Sequence, residues 1–390
     1  MVLLRLAQFT ALTGVCLLGL SVSHAAAANI EDAAEARALS VEGVAGEILD
    51  TAIAHCRRGE RAQALSMFAA IREQLSPPPA LLQLVRDLEA TGCIAHAQAP
   101  VRVFKLLAGG GYDSNVSQGI SARSLTLGSG DGAIELPLDD SYRPRGSSFM
   151  QVAADYAVPL PGRGWALSLT AGARAHSQVS QFDIASVAAS LSRVGVLSGR
   201  TLRGQLDVSE LWLGGRRYQR VLGATVQTVL DLDAQGAWIA HASASMADYH
   251  SQPSQNAVVY EVGVSRDRRM GPDGTVVASF VLQHDTNRGT RPGGDRNGFQ
   301  FTLAATKDWQ GWRLKPQFLW QQWVSREVFA AGLIDQRRDN RSAQMTLQAE
   351  KPLAQGRSLV LEWRARSVRD PIPLYEYKSQ SLGAFIQQQF

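Results

Sequence analysis

The chain has 390 residues, 45% of them hydrophobic and 19% charged, and its formal net charge at pH 7 is +4. That length suffices for one large domain and a small one. A mean hydropathy of −0.10, with a single long apolar run, excludes a bundle of membrane-spanning helices. The near balance of 39 basic and 35 acidic residues excludes a disordered chain and gives no reason to expect a nucleic-acid partner.

Residues 1–28 have the pattern of a secretory signal peptide. Arg5 precedes an apolar stretch from Ala11 to Leu20, and small residues follow. The apolar stretch is too short to span a membrane as a helix. We therefore expect its removal on export, which leaves Cys56 and Cys93 as the two thiols in a compartment that permits disulfides.

Residues 29–100 are predicted to form a small periplasmic segment of α-helices. Apolar residues recur there at helical spacing, and Pro77 to Pro79 interrupt the pattern. The pair Ala64 and Phe68 is typical of a tetratricopeptide-like unit, but any helical hairpin packs a small residue against a large one. One unit is too few for independent stability, so the segment should lean on the next domain. A disulfide between Cys56 and Cys93 is the candidate cross-link, and two buried, unpaired thiols are the alternative.

Residues 101–390 have the pattern of an outer-membrane β-barrel. Glycines close short polar turns at intervals of 37 or 38 residues, at Gly162, Gly199, Gly236, Gly274 and Gly311. Between the turns, apolar and polar residues alternate over eight to ten positions. A propeller blade has shorter strands, and the charges on the polar faces would make a poor packed core. Strands with one apolar and one polar face fit a transmembrane barrel, in which one face meets lipid and the other meets water, better than a soluble sandwich.

Fourteen such strands can be counted, among them 312–324 and 341–352. The fold class is therefore mainly β, a 14-stranded antiparallel transmembrane barrel after a small helical segment. An even number puts both ends of the barrel on the side of the helices, the periplasm, and puts the 114–147 connection outside the cell. An aromatic girdle is expected beside the short turns, and the last residue, Phe390, is the expected signal for the barrel assembly machinery. The girdle residues are Trp165, Trp238, Trp309 and Trp312.

The sequence has no motif for hydrolytic, phosphate-binding or metal chemistry, so we expect no enzyme, cofactor or metal. The pair His284 and Asp285 is the one arrangement compatible with acid–histidine catalysis, and solvated loop residues explain it better. The predicted lumen carries charges of mixed sign, which is not typical of a filter for one ion sign. These charges are on Arg174, Glu261, Lys315, Glu350, Glu362, Arg364 and Arg366.

Three stretches resemble the barrel domain of the surface lipoprotein assembly modulator (Slam) family. They are the strand that ends in Asp113, Ser114 and Asn115, the charged run Arg337, Arg338 and Asp339 before a late strand, and residues 373–378 leading to Phe390. The helical segment resembles a shortened form of that family's tetratricopeptide domain.

The resemblance implies an outer-membrane translocator with no catalytic role. Its partners would be the lipid bilayer, the barrel assembly machinery and a client, either a surface lipoprotein or a secreted protein that acquires haem or metal. A polysaccharide exporter and a diffusion porin are the alternatives.

Overall fold

The computed structural model describes residues 41–57, 60–74, 79–90, 102–128, 133–160, 164–197, 200–233, 235–271 and 273–390. The predicted signal peptide and Cys93 lie outside these ranges, as do both predicted domain boundaries, which stay predictions. Within the described ranges, no helix has the length and apolar character needed to cross a membrane.

Fourteen antiparallel strands form a closed barrel, which confirms the predicted fold class. The first and last strands close it, with Lys105 opposite Gln389 and Asp113 opposite Ser381. The barrel strands are β1 (Val103–Asp113), β4 (Ser147–Pro159), β5 (Trp165–His176), β6 (Ile184–Leu197), β7 (Arg200–Leu213), β8 (Arg216–Asp233), β9 (Gly236–Tyr249), β10 (Ala257–Arg269), β11 (Gly274–Asn287), β12 (Arg296–Trp309), β13 (Trp312–Ala330), β14 (Ile334–Pro352), β15 (Arg357–Arg369) and β16 (Tyr377–Gln389).

The two ends of the barrel differ in their connections. Short turns join the strands at one end, here called the short-turn end. The opposite end, here called the loop end, carries the 114–146 connection, which contains a small hairpin of β2 (Ser124–Leu127) and β3 (Ile134–Pro137). The sequence analysis missed this hairpin because each strand has only four residues, too few to show an alternation.

Strands β13 and β14 extend past the predicted ends, 324 and 341, towards the loop end. Their pairing continues through Val324 opposite Asp339 and Val328 opposite Arg337, with register shifts on the way. Residues 325–340 are rich in charged and polar side chains, so the apolar alternation stops although the backbone ladder does not. The alternation of apolar and polar residues therefore indicates which part of each strand faces lipid. It does not indicate where the strand ends.

The outer face of the barrel is apolar. Large hydrophobic side chains that point outwards stay exposed on strand after strand, such as Met150 (68%), Leu206 (59%), Val262 (56%) and Leu382 (62%). A continuous belt of this kind is unfavourable in water and favourable in a bilayer. The predicted girdle residues lie at the short-turn end, and cations stack on three of them: Arg193 on Trp165, Arg266 on Trp238 and Lys351 on Trp312.

Three helices precede the barrel: α1 (Val41–Arg57), α2 (Arg61–Gln74) and α3 (Pro79–Ala90). Apolar residues from all three helices form one core, in which Ala64, Phe68 and Ile71 of α2 are fully buried. Strand residues Ala237 and Ile239 belong to the same core. The segment thus rests on the barrel, as its small size predicts.

Candidate functional site

The lumen of the barrel is lined by polar and charged side chains that form hydrogen bonds and ion pairs with one another. Arg174 donates two hydrogen bonds to the side-chain oxygen of Gln151, at 2.9 and 2.6 Å, and lies 4.2 Å from the centre of the Phe149 ring. Elsewhere on the inner face, Lys315 donates to Glu350 at 2.9 Å. Every charge that the sequence analysis assigned to the lumen lies on this face. The wall carries both carboxylates and cations, so it has no single sign of charge.

A band of amide and hydroxyl groups crosses the inner face from β9 to β13. Glu261 accepts hydrogen bonds from Ser243 at 3.0 Å and from Gln283 at 2.6 Å. Gln321 continues the band by donating to Gln283 at 3.0 Å and to Gln300 at 3.4 Å. Amides both donate and accept, so this surface can exchange hydrogen bonds with water or with a passing polypeptide backbone.

Two aromatic rings lie flat on the inner wall beside the seam between β1 and β16. A methyl group at Gly111 would lie 2.7 Å from Cζ of Phe149, and one at Gly383 would lie 2.6 Å from Cζ of Phe385. A side chain at Gly383 would displace the Phe385 ring, and one at Gly111 would also meet the backbone carbonyl oxygen of Leu382. Both rings are buried, and they pack against the strands in the space that side chains at the two glycine positions would occupy.

The short-turn mouth of the lumen is occupied by the helical segment. Ala237 and Ile239 point inwards from β9, and they share a buried core with Phe68 and with Ile48 of α1. Helix α1 also reaches the turn between β4 and β5, because a methyl group at Gly164 would lie 3.1 Å from the hydroxyl of Thr51. The sequence analysis did not identify this contact. Its signal was the apolar pair Ala237 and Ile239, which faces inwards beside the short turn between β8 and β9.

At the loop end, Asp113, Ser114 and Asn115 fasten the first connection to the last strand. The backbone N–H of Ser114 donates to the carbonyl of Gln380 at 2.8 Å, and its hydroxyl accepts from the N–H of Gln380 at 2.9 Å. Asn115 is buried, and its own N–H donates to the Asp113 carboxylate at 2.9 Å. The Asn115 amide donates to the carbonyls of Gly119 and Lys378, at 2.9 and 2.8 Å. The first of the three stretches that resemble Slam therefore helps to close the barrel between β1 and β16.

The run from Arg337 to Asp339 lies at the same end, in the extended part of β14. Arg338 donates to the buried Asp370 carboxylate at 3.1 Å and stacks 3.5 Å from the centre of the Tyr375 ring. Asp339 accepts from Gln322 at 2.5 Å, and Arg337 is exposed. Tyr375 packs in an apolar cluster with Ile120 and with the β2–β3 hairpin. The first connection therefore reaches over the seam to β13–β16, and the three stretches that resemble Slam meet in one loop assembly.

His284 and Asp285 do not form a catalytic pair. His284 faces outwards and shares a hydrogen bond of 2.7 Å with Asn297, whereas Asp285 faces inwards and is fully buried. Asp285 accepts from Arg291 at 2.7 and 3.1 Å and from Arg296. Burial and the neighbouring Arg296 lower the pKa of the Arg291 guanidinium in the loop, and Asp285 opposes them. This cluster is an ion-pair network that holds the 288–295 loop.

The remaining predicted site residues are placed as follows. Cys56 is partly buried against the helical core and is disulfide-bonded, but Cys93 lies outside the described residues, so the pairing stays a prediction. Phe390 donates its N–H to the carbonyl of Phe104 at 2.9 Å, and the two rings lie 5.4 Å apart. Within the described ranges, no group of three or more His, Cys, Asp or Glu side chains is arranged to hold a metal ion.

Comparison with known proteins adds similarity of architecture. No protein-family model matches the chain, and no curated protein matches it. An anion-selective porin from Comamonas acidovorans is 10% identical, with a TM-score of 0.38 over 75% of this chain and 99% of that one. CdiB from Acinetobacter baumannii is 9% identical, with a TM-score of 0.37 over 75% and 61%.

A bacterial polysaccharide outer-membrane secretin is 10% identical, with a TM-score of 0.39 over 74% of this chain and 98% of that one. These values are low for all three structures. The similarity is one of barrel shape alone, and no argument about function rests on it.

Proposed function

We propose that the chain is an outer-membrane translocator that moves a client protein to the cell surface. The observation that carries the proposal is the helical segment seated in the short-turn mouth, where it shares a buried core with Ala237 and Ile239 of the inner wall. Anything that enters the lumen from that side meets the helices first. A diffusion porin needs no such element, and helical hairpins offer apolar grooves for incompletely folded chains.

The proposed orientation follows from the same arrangement. The apolar belt supports a location in the outer membrane, and in the proposed orientation the helical segment lies in the periplasm and the loop end faces the outside. The girdle of Trp165, Trp238 and Trp312 with stacked cations would then lie at the periplasmic interface. Strands β13 and β14 extend past the opposite interface, together with the loop assembly around Tyr375.

The wall chemistry supports a polypeptide as the cargo. Mixed charges and a band of side-chain amides favour no single ion sign, and they offer a passing backbone both donors and acceptors. The resemblance to Slam supports the client class, a surface lipoprotein or a secreted haem- or metal-acquiring protein. No step of this route forms or breaks a covalent bond, so the proposed protein is not an enzyme.

The test is export in cells that lack the whole chain. The client to follow is a surface lipoprotein or secreted haem-binding protein encoded by a neighbouring gene. It should stay in the periplasm in these cells, and a plasmid copy of the chain should restore its display or secretion. Flow cytometry with an antibody against the client, on intact and on permeabilised cells, separates the two locations. Unchanged export would contradict the proposal. Altered polysaccharide export in the same cells would instead favour the alternative that the chain is a polysaccharide exporter.

A further inference from the structure

Three cations meet on the outer face of the barrel at the loop end. Arg341 of β14 lies directly opposite Arg369 of β15 in the strand register. On the other side of β15, Lys378 of β16 lies opposite Ser367, two positions from Arg369. All three side chains are exposed and point away from the lumen. We call Arg341, Arg369 and Lys378 the cationic patch.

The patch has more positive charge than its surroundings neutralise. Asp339 accepts from Arg341 at 2.5 Å and is shared with Gln322. Across the described part of the chain, no carboxylate forms an ion pair with Arg369 or Lys378. Like charges that face each other across two strands are unfavourable, so a patch of this kind needs an anion close by.

Two other cations at this rim are paired with carboxylates. On the opposite side of the barrel, Arg220 pairs with Glu210 at 2.8 Å, and Arg288 pairs with Asp248 at 2.9 Å. The patch lies just above the apolar belt, where Met345 and Leu382 of the same strands are exposed. At a rise of about 3.3 Å per residue, it therefore lies at the height of the headgroups of the loop-end leaflet.

We propose that the cationic patch binds the phosphate groups of a phosphorylated glycolipid in the outer leaflet. Guanidinium groups donate in parallel pairs that match phosphate oxygens, and an ammonium adds a third point charge. Cations beside an anionic membrane surface attract its headgroups, and the effects of neighbouring cations accumulate. The bound lipid supplies the anion that Arg369 and Lys378 lack. This site is independent of what passes through the lumen.

Titration of the purified full-length protein in detergent tests the proposal. The probes are diphosphoryl lipid A, the same lipid without phosphate, phosphatidylglycerol and inorganic phosphate, with bound lipid counted by native mass spectrometry. Wild-type protein should bind diphosphoryl lipid A in preference to the other three. The triple variant Arg341→Gln, Arg369→Gln, Lys378→Gln should bind it at least tenfold more weakly.

The matched control is a second triple variant that loses the same three positive charges, but in the first connection: Arg123→Gln, Arg143→Gln, Arg145→Gln. It should bind like wild type. Heat modifiability on gels checks the folding of each variant. If the triple variant does not fold, the single variant Arg369→Gln takes its place and should also bind diphosphoryl lipid A more weakly than wild type. Equal binding by triple variant and wild type would overturn the proposal. So would equal binding of phosphatidylglycerol, or displacement of the lipid by millimolar inorganic phosphate.

Discussion

The side-chain amide of Asn115 donates a hydrogen bond of 2.8 Å to the backbone carbonyl of Lys378, which lies 263 positions further along the chain. The same amide donates to the carbonyl of Gly119, and its oxygen accepts from the N–H of Gly119 at 2.7 Å. One buried side chain thus joins the end of β1, the start of the first connection and the last strand.

Replacing Asn115 should loosen the first connection and leave the barrel folded. Asn115→Ala removes four hydrogen bonds and leaves buried backbone groups without partners, which costs about 1–3 kcal/mol for each group left unsatisfied. Limited proteolysis of intact cells should then cleave within 116–146 faster than in wild type, with heat modifiability unchanged. Ser121→Ala, at an exposed position of the same connection, is the control. Equal cleavage of both variants would contradict the role of Asn115.

The helical segment should be cross-linked by Cys56 and Cys93. The 36 residues between them make loop closure worth about 3–4 kcal/mol, and Cys56 is disulfide-bonded and lies against the core of the three helices. Thiol labelling of the denatured, unreduced mature protein should modify no cysteine, and labelling after reduction should modify two. Two labelled cysteines per chain without reduction would rule out the bond.

The two ends of the barrel should differ in access from outside the cell. A protease site inserted directly after the exposed Gly128 should be cut in intact cells. A site inserted at 233–234, in the turn between β8 and β9, should be cut only after the outer membrane is permeabilised. The reverse pattern would invert the barrel and place the helical segment outside.

Replacing Asp285 should lower the free energy of unfolding far more than replacing an exposed aspartate. Asp285→Asn leaves Arg291 and Arg296 buried without their carboxylate, which costs about 3–5 kcal/mol. Asp248→Asn, which breaks the exposed pair with Arg288, should cost under about 1 kcal/mol. Thermal unfolding in detergent, followed by the shift of the folded band on gels, measures both. Similar midpoints for the two variants would contradict the importance of the buried network.

The barrel could be predicted from the sequence because lipid on one side and water on the other impose a strict alternation. Leu167 and Leu169 against Ser168 and Thr170 show it in β5, and the same rule yields all fourteen strands. Beyond the lipid that constraint ends, so the extended parts of β13 and β14 and the β2–β3 hairpin were not predicted.

The functional contacts were harder to predict because they join residues distant in sequence. Nothing local to Asn115 indicates Lys378 as its partner, and nothing local to Arg338 indicates Asp370. The inward-facing apolar pair Ala237 and Ile239 was visible in the alternation of β9. An apolar patch inside a polar lumen is a sign that another part of the protein packs there.

The proposed function depends most directly on the helical segment, and one measurement isolates its role. Cells should carry the full chain, a variant that lacks residues 30–95, or neither, and surface display or secretion of the neighbouring client is compared among them. The truncated protein should form a heat-modifiable barrel in the outer membrane, because no barrel strand is removed. The account predicts that the client then stays in the periplasm, as in cells without the protein. Client export by the truncated barrel at the level of the full chain would contradict it.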